Sequence, residues 1–141
     1  MRVVLILGFV ALFAVLFVSV GPSNLAQESD RKAKVPGDAR DKKNPIPVTP
    51  QSIEHGGKLY QSQCAMCHGE SGVGDGDLAE TLKMEVPDFT APGFQDRYTD
   101  GEVFWIITNG HERMPADGDR FTADLRWHMV NFIRTFKPAS R

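Results

Sequence analysis

The first patterned segment of the chain is an unbroken apolar run, Val3 to Val20 (VVLILGFVALFAVLFVSV), 18 residues without a charge. A helix on the surface of a globular core keeps a polar stripe, which this run lacks. It exceeds the roughly 7–15 residue core of a secretory signal and reaches the roughly 17–25 residues that span a bilayer. Residues 27–49 have the opposite character. They mix charges with Pro36, Gly37, Pro45 and Pro47 and carry almost no large apolar side chains. Such a composition buries too little surface to fold alone, so a flexible, partly extended tether is expected.

From residue 50 to residue 141 the pattern turns helical, and three helices have readable ends. Thr49 can cap the first, with Pro50 at its first position, and Ile53, Gly56, Gly57, Leu59 and Tyr60 carry it toward Cys64. Thr99-Asp100-Gly101-Glu102 has the capping-box pattern ahead of Val103, Phe104, Trp105, Ile106 and Ile107, and Asn109-Gly110 stops that helix. A third begins after Thr122 and carries Leu125, Met129, Val130, Phe132, Ile133 and Phe136 at mostly helical spacing, ending before Pro138. Between the first two lies Gly69 to Tyr98, rich in Gly, Pro and Asp, with room for one short helix near Asp77 to Lys83. No strand and no repeat stands out, so the expected fold class is all-α. Three or four short helices make a thin core, and something else is expected to fill its centre.

The organisation that follows is a signal anchor or signal peptide over 1–26, a tether over 27–49 and a functional domain over 50–141. Asn24-Leu25-Ala26 ends in a small residue but has Asn two places before it, which favours an uncleaved anchor over a cleaved signal. Arg2 stands alone before the run, whereas Arg31, Lys32, Lys34, Arg40, Lys42 and Lys43 follow it, which by itself opposes an N-in orientation. From residue 50 onward, 14 Asp and Glu face nine Lys and Arg, which argues against nucleic acid as a partner. The same excess can steer a basic redox protein or simply solvate a small domain.

Both cysteines fall in one motif, Cys64-Ala65-Met66-Cys67-His68, the C-x-x-C-H pattern of haem attachment. Two thiols three residues apart can form thioethers to neighbouring vinyl groups, leaving the next imidazole positioned for the iron. A reactive thiol pair and a zinc half-site share part of this pattern. A structural zinc site needs about four ligands, and no second Cys/His cluster accompanies the first.

Around this motif the chain resembles the class I c-type cytochromes, especially the small monohaem bacterial forms. The likeness runs from about Gln51 to Lys137. It includes the Gly56 and Tyr60 spacing, Cys64 to Gly69, the Gly72-Val73-Gly74-Asp75-Gly76 loop and Pro87-Asp88-Phe89-Thr90. It continues through Phe104 to Ile107, the Gly110 to Met114-Pro115 loop and the Trp127 to Arg134 helix. The resemblance implies a cytochrome c-like helical domain around one covalent haem c, with the first helix crossing the last. Gly56 would allow close approach of that last helix, and Tyr60 would pack on Phe132 or Ile133. Cys64 and Cys67 would hold the haem, His68 would be the proximal iron ligand and Met114 the distal one. Met/His ligation favours reduced iron and leaves no open position.

Rivals for the sixth position are His111 and Met84; Met66 lies inside the attachment motif and Met129 on a core helix. Pro87 is expected either to offer its carbonyl to His68 or to be a plain turn proline. Trp105, Arg97 and Tyr98 are candidate partners of the haem propionates, or else core aromatic and surface groups. The resemblance implies a single-electron carrier and no catalytic residue, with redox proteins as partners, the membrane engaged through the N-terminal helix, and no small-molecule substrate. A subunit of a larger dehydrogenase or terminal reductase is the nearest alternative, and a haem enzyme or gas sensor with an open sixth position is a further one. Covalent attachment in this family takes place outside the cytoplasm. The expected location is therefore the cytoplasmic membrane, with a single-pass anchor and the haem domain on the periplasmic side, or the periplasm itself after signal cleavage.

Overall fold

Helix ends in this chain are set by local side chains that satisfy the first free backbone N–H groups. The computed structural model describes residues 33–136. Its helices are α1 (Gly37–Arg40), α2 (Pro50–Gln63), α3 (Ala65–His68), α4 (Asp77–Thr81), α5 (Phe94–Arg97), α6 (Asp100–Asn109) and α7 (Ala123–Ile133). Thr49 Oγ1 accepts from the Ser52 N–H at 3.1 Å, with Pro50 opening α2. At α6 both halves of the capping box form: Thr99 Oγ1 accepts from Glu102 N–H at 3.2 Å, and Glu102 Oε2 accepts from Thr99 N–H at 2.8 Å. Thr122 caps α7. Among the described residues there is no strand beyond an isolated bridge between His111 and Met114.

The core forms where α2 crosses α7. A β-carbon built on Gly56 would stand 2.0 Å from the His128 carbonyl oxygen, so only glycine permits this approach. One turn on, fully buried Tyr60 sets its ring between Phe132 and Phe136, at centroid distances of 5.1 and 5.2 Å. Helix α6 joins through Phe104, stacked on Trp127 at 4.0 Å. Aromatic pairs of this kind add to the stabilisation that their buried area supplies. Arg134, at the end of α7, fastens the segment before α6: its guanidinium donates to Asp100 Oδ1, the Gln95 carbonyl and the Tyr98 carbonyl at 2.7, 2.7 and 2.6 Å.

The stretch read as a tether behaves differently from residue 33 onward. Residues 33–49 lie along α6 and α7 as an arm, and the compact unit starts at Ala33 instead of residue 50. Ala33 is buried and Ile46 packs on the core, but most of what holds the arm is polar, which is why its composition looks unable to fold. Arg40 donates twice to buried Glu102 Oε1, at 3.2 and 3.1 Å, and the Arg40 carbonyl accepts from Thr99 Oγ1 at 2.7 Å. Asn44 Nδ2 donates to Asn131 Oδ1 at 2.8 Å and the Trp127 carbonyl at 3.2 Å, while Asn131 Nδ2 reaches the Ile46 and Pro47 carbonyls. Gly101 makes room, since a β-carbon there would meet the Ala39 carbonyl oxygen at 2.0 Å. No helix among the described residues is long and apolar enough to cross a membrane. The expected span, Val3 to Val20, and residues 27–32 lie outside the described residues.

Candidate functional site

The attachment motif is wound into a single helical turn. Cys64 closes α2, its N–H bonded to the Tyr60 carbonyl at 2.8 Å, and its own carbonyl accepts from Cys67 N–H at 3.1 Å and His68 N–H at 2.9 Å. Residues three and four apart on a helix share a face, so Cys64, Cys67 and His68 are carried on neighbouring positions of one turn. Gly69, at φ 75°, ends the turn, and its carbonyl is fixed by the Tyr60 hydroxyl at 2.8 Å. The loop that follows folds back on the motif: Gly74 N–H reaches the His68 carbonyl at 2.9 Å and Gly76 N–H the Cys67 carbonyl at 3.2 Å.

The environment selects among the chemistries open to this motif. Cys64 and Cys67 are not joined to each other by a disulfide. Burial, with buried Asp117 nearby, pushes the Cys64 thiol up to about 12, so it is protonated at neutral pH and unlike a reactive thiolate. Burial also pushes the His68 imidazole down to about 4, so the ring is neutral and its nitrogen lone pair is available to a metal. Among the described residues no three His, Cys, Asp or Glu gather as a zinc site would require.

His68 Nδ1 is buried without a hydrogen-bond partner, so of the two alternatives for Pro87 the bond from the imidazole N–H to its carbonyl is not formed. The carbonyls of Val86 and Pro87 instead crowd Gly74, where a β-carbon would be 2.4 and 3.4 Å away. Phe89 takes the flank of the imidazole, stacked at 4.7 Å and 23°, and its N–H is tied to the Gly72 carbonyl at 2.7 Å. Nothing in the sequence marks this contact: Phe89 follows Pro87-Asp88, but no spacing rule joins it to His68.

Met114 sits half-buried against the core in a tight turn. His111 and Met114 exchange backbone bonds at 3.1 and 2.8 Å, Glu112 takes a left-handed φ of 50°, and Gly110 packs so that a β-carbon would stand 2.5 Å from the Met114 carbonyl oxygen. The bulky His111-Glu112-Arg113 sequence is thus accommodated by one strained residue. Bonds from Asp117 N–H to the Ile107 carbonyl and Gly118 N–H to the Thr108 carbonyl, at 2.9 and 3.0 Å, close the loop onto α6. Buried Arg126 braces it through Thr108 Oγ1 at 2.7 Å.

Of the other methionines, Met129 is wholly buried on α7 and Met66 is exposed, while Met84 is half-buried behind α4. His111 is half-buried, 3.9 Å from a Glu112 oxygen. Trp105 is half-buried on α6, the Arg97 guanidinium lies over the Phe94 ring at 5.8 Å, and the Tyr98 ring packs on Phe94 at 5.7 Å. A link absent from the sequence reading joins the motif to the methionine loop: Arg120 pairs with Asp117 at 2.7 Å and bonds Gln63, the residue before Cys64.

A crossed pair of helices, a C-x-x-C-H turn with a neutral histidine and a methionine loop define a c-type cytochrome. The sequence profile described as "Cytochrome C oxidase, cbb3-type, subunit III" matches residues 51–133, and the chain belongs to that family. No curated protein matches it. Among solved structures it is similar to the "KustC0563 c-type cytochrome", with 29% identity and a TM-score of 0.53 over 58% of this chain and 96% of that one. It also shares its fold with a chain of the Kuenenia stuttgartiensis reducing HAO-like protein complex Kustc0457/Kustc0458. That match has 23% identity and a TM-score of 0.58 over 79% of this chain and 54% of the other. Membership implies one covalently bound c-type haem, and the buried, unpartnered, neutral histidine beside two cysteines that form no disulfide fits that group. When bound, the haem iron supplies one-electron redox chemistry.

Proposed function

We propose that this chain is a single-electron carrier that holds its haem through Cys64 and Cys67, with His68 as proximal and Met114 as distal ligand. The observation that carries the reading is the contrast between the two ligand segments and the rest of the domain. His68 is buried, neutral and free of a hydrogen-bond partner at Nδ1, and Met114 projects from a loop closed at both ends by backbone bonds. A clamped loop holds a thioether without large reorganisation between oxidation states, as fast electron exchange requires. Burial of His68 disfavours its protonation and so keeps the imidazole in the neutral form that a metal needs.

The haem domain is exported to the outer face of the cytoplasmic membrane, and Val3 to Val20 is its anchor. Protease added to intact spheroplasts should therefore remove it, and protection would refute the topology. A second reading, a resident subunit of a larger oxidoreductase, draws on the family's description as an oxidase subunit. Co-purification with a larger complex would favour it.

The deciding experiment for the ligands is spectroscopic. The ferric protein should show the weak near-infrared sulfur-to-iron band, and the ferrous protein should not bind carbon monoxide. Met114→Ala should lose the band, lower the potential and admit carbon monoxide, whereas Met84→Ala should change none of these. A spectroscopically silent Met114→Ala would eliminate Met114 and turn attention to His111.

A further inference from the structure

Away from the attachment turn, two imidazoles meet where α2 crosses α7. His55 on α2 and His128 on α7 stand with ring centroids 4.8 Å apart and planes inclined by 32°. The crossing itself fixes their backbones: His55 precedes Gly56, where a β-carbon would stand 2.0 Å from the His128 carbonyl oxygen. Cys64 lies nine residues farther along the chain, about 14 Å along the helix axis at 1.5 Å per residue, so the pair is separate from the haem-bearing turn.

One of the two rings is also oriented from behind. His128 Nδ1 lies 2.8 Å from Ser52 Oγ, and that buried hydroxyl accepts in turn from Asn131 Nδ2 at 2.8 Å. Asn131 is itself held by Asn44 Nδ2, which donates to its Oδ1 at 2.8 Å. With Nδ1 engaged, Nε2 is the nitrogen left to this half-buried ring, and His55 beside it is exposed. A metal-bound imidazole is held in this way, one nitrogen on the ion and the other on an outer-shell partner. Ring stacking alone needs no such bond.

The spacing fits a shared ion. Two imidazoles bound to one metal at about 2.0–2.1 Å set their centroids roughly 4.5 Å apart at a right angle and roughly 5.2 Å apart at the tetrahedral angle. The observed separation falls between them. Beside His55 the charges of Glu54 and Lys58 pair at 2.6 Å, whereas Asp124, four residues before His128 on the same face of α7, is an exposed carboxylate that favours a cation. Among the described residues no third His, Cys, Asp or Glu completes a cluster, so solvent would fill the other positions.

We propose that His55 and His128 form a two-histidine site for a divalent transition-metal ion, with Cu(II) held most tightly, that clips α2 to α7. Imidazole and water ligands in an open arrangement suit tetragonal Cu(II), which also stands highest in the affinity order of the divalent ions. Ligation needs both helices in place, so the bound ion stabilises the folded domain over the unfolded chain. The site is independent of how the haem iron is ligated.

The test uses the full-length, haem-loaded ferric protein with copper(II) chloride as probe. Isothermal titration should give one tight equivalent, and the electron paramagnetic resonance of the copper should show splitting from two nitrogens. His55→Gln and His128→Gln should each weaken binding by about tenfold or more and leave a single nitrogen; both positions reach the surface, and haem absorbance reports that the variants are folded. Ser52→Ala should weaken binding about tenfold by releasing the His128 ring, an effect that two unsupported surface histidines would not show. One equivalent of copper should raise the guanidinium midpoint of the wild type and leave that of either glutamine variant unchanged. Zinc chloride should compete for the same site more weakly. Unchanged copper affinity in either glutamine variant, with normal haem absorbance, would overturn the site, as would tight binding that persists in the double variant. Zinc bound more tightly than copper would overturn the choice of metal.

Discussion

Gly56→Ala is the smallest change that tests the crossing of α2 on α7, on which the orientation of the attachment turn depends. The added methyl would lie 2.0 Å from the His128 carbonyl oxygen, 2.5 Å from its carbon and 3.0 Å from Phe132 Cβ. Unstrained contact between heavy atoms needs about 3.5 Å, so the helices must part by roughly 1 Å or more. The neighbour is backbone and cannot rotate away. Overpacking of this kind costs typically 1–3 kcal/mol, and a rigid neighbour puts the cost at about 3 kcal/mol. Alanine returns about 1 kcal/mol through its better helix propensity. The net loss is about 2 kcal/mol, which lowers the melting temperature by roughly 8–16 °C in a domain of this size.

Gly57→Ala is the matched control. Its β-carbon would meet only the Phe132 ring, at 3.0 and 3.1 Å, and a ring can shift. The same gain in propensity then leaves that variant about as stable as the wild type. Guanidinium unfolding of the haem-loaded protein, followed in parallel by far-ultraviolet circular dichroism and haem absorbance, measures both. Equal stabilities for Gly56→Ala and wild type, or a larger loss in Gly57→Ala, would refute the close-crossing argument.

Cys64→Ala with Cys67→Ala should abolish stable haem retention and leave the domain without a cooperative transition, because the cofactor supplies much of the buried apolar surface; cooperative unfolding of a haem-free form by calorimetry would contradict this. Gly101→Ala should lift the arm, since its methyl would fall 2.0 Å from the Ala39 carbonyl oxygen. Trypsin should then cut at Lys42 or Lys43 many times faster while the haem spectrum stays unchanged; wild-type cutting rates would refute the docked arm.

The parts of this fold that were legible in the sequence are those decided within four residues. Thr49, Thr99 and Thr122 were each read as caps, and each accepts the expected backbone N–H. Gly56 and Tyr60 were legible only through family resemblance, because nothing local marks a glycine as the partner of a carbonyl 72 residues on. The shorter helices escaped for a different reason. α5 spans four residues and follows Gly93 in a left-handed conformation, φ 78°, so no apolar period can accumulate. At the site, the C-x-x-C-H turn was legible as a pattern. The Phe89 stack on His68, the left-handed Glu112 and the bonds from Arg120 to Asp117 and Gln63 are products of long-range closure, and no local signal specifies them.

Glu102 shows the same division within one side chain, and its long-range half bears on how the arm is held. Its capping-box role to Thr99 was legible because it acts across three residues; its pairing with Arg40 acts across 62. Losing Arg40 would take away a cation that faces this buried carboxylate, which is destabilising, so arm and α6 are coupled. Releasing the arm, as Gly101→Ala is expected to do, would therefore also weaken the start of α6, and the melting temperature of that variant should fall together with its resistance to trypsin.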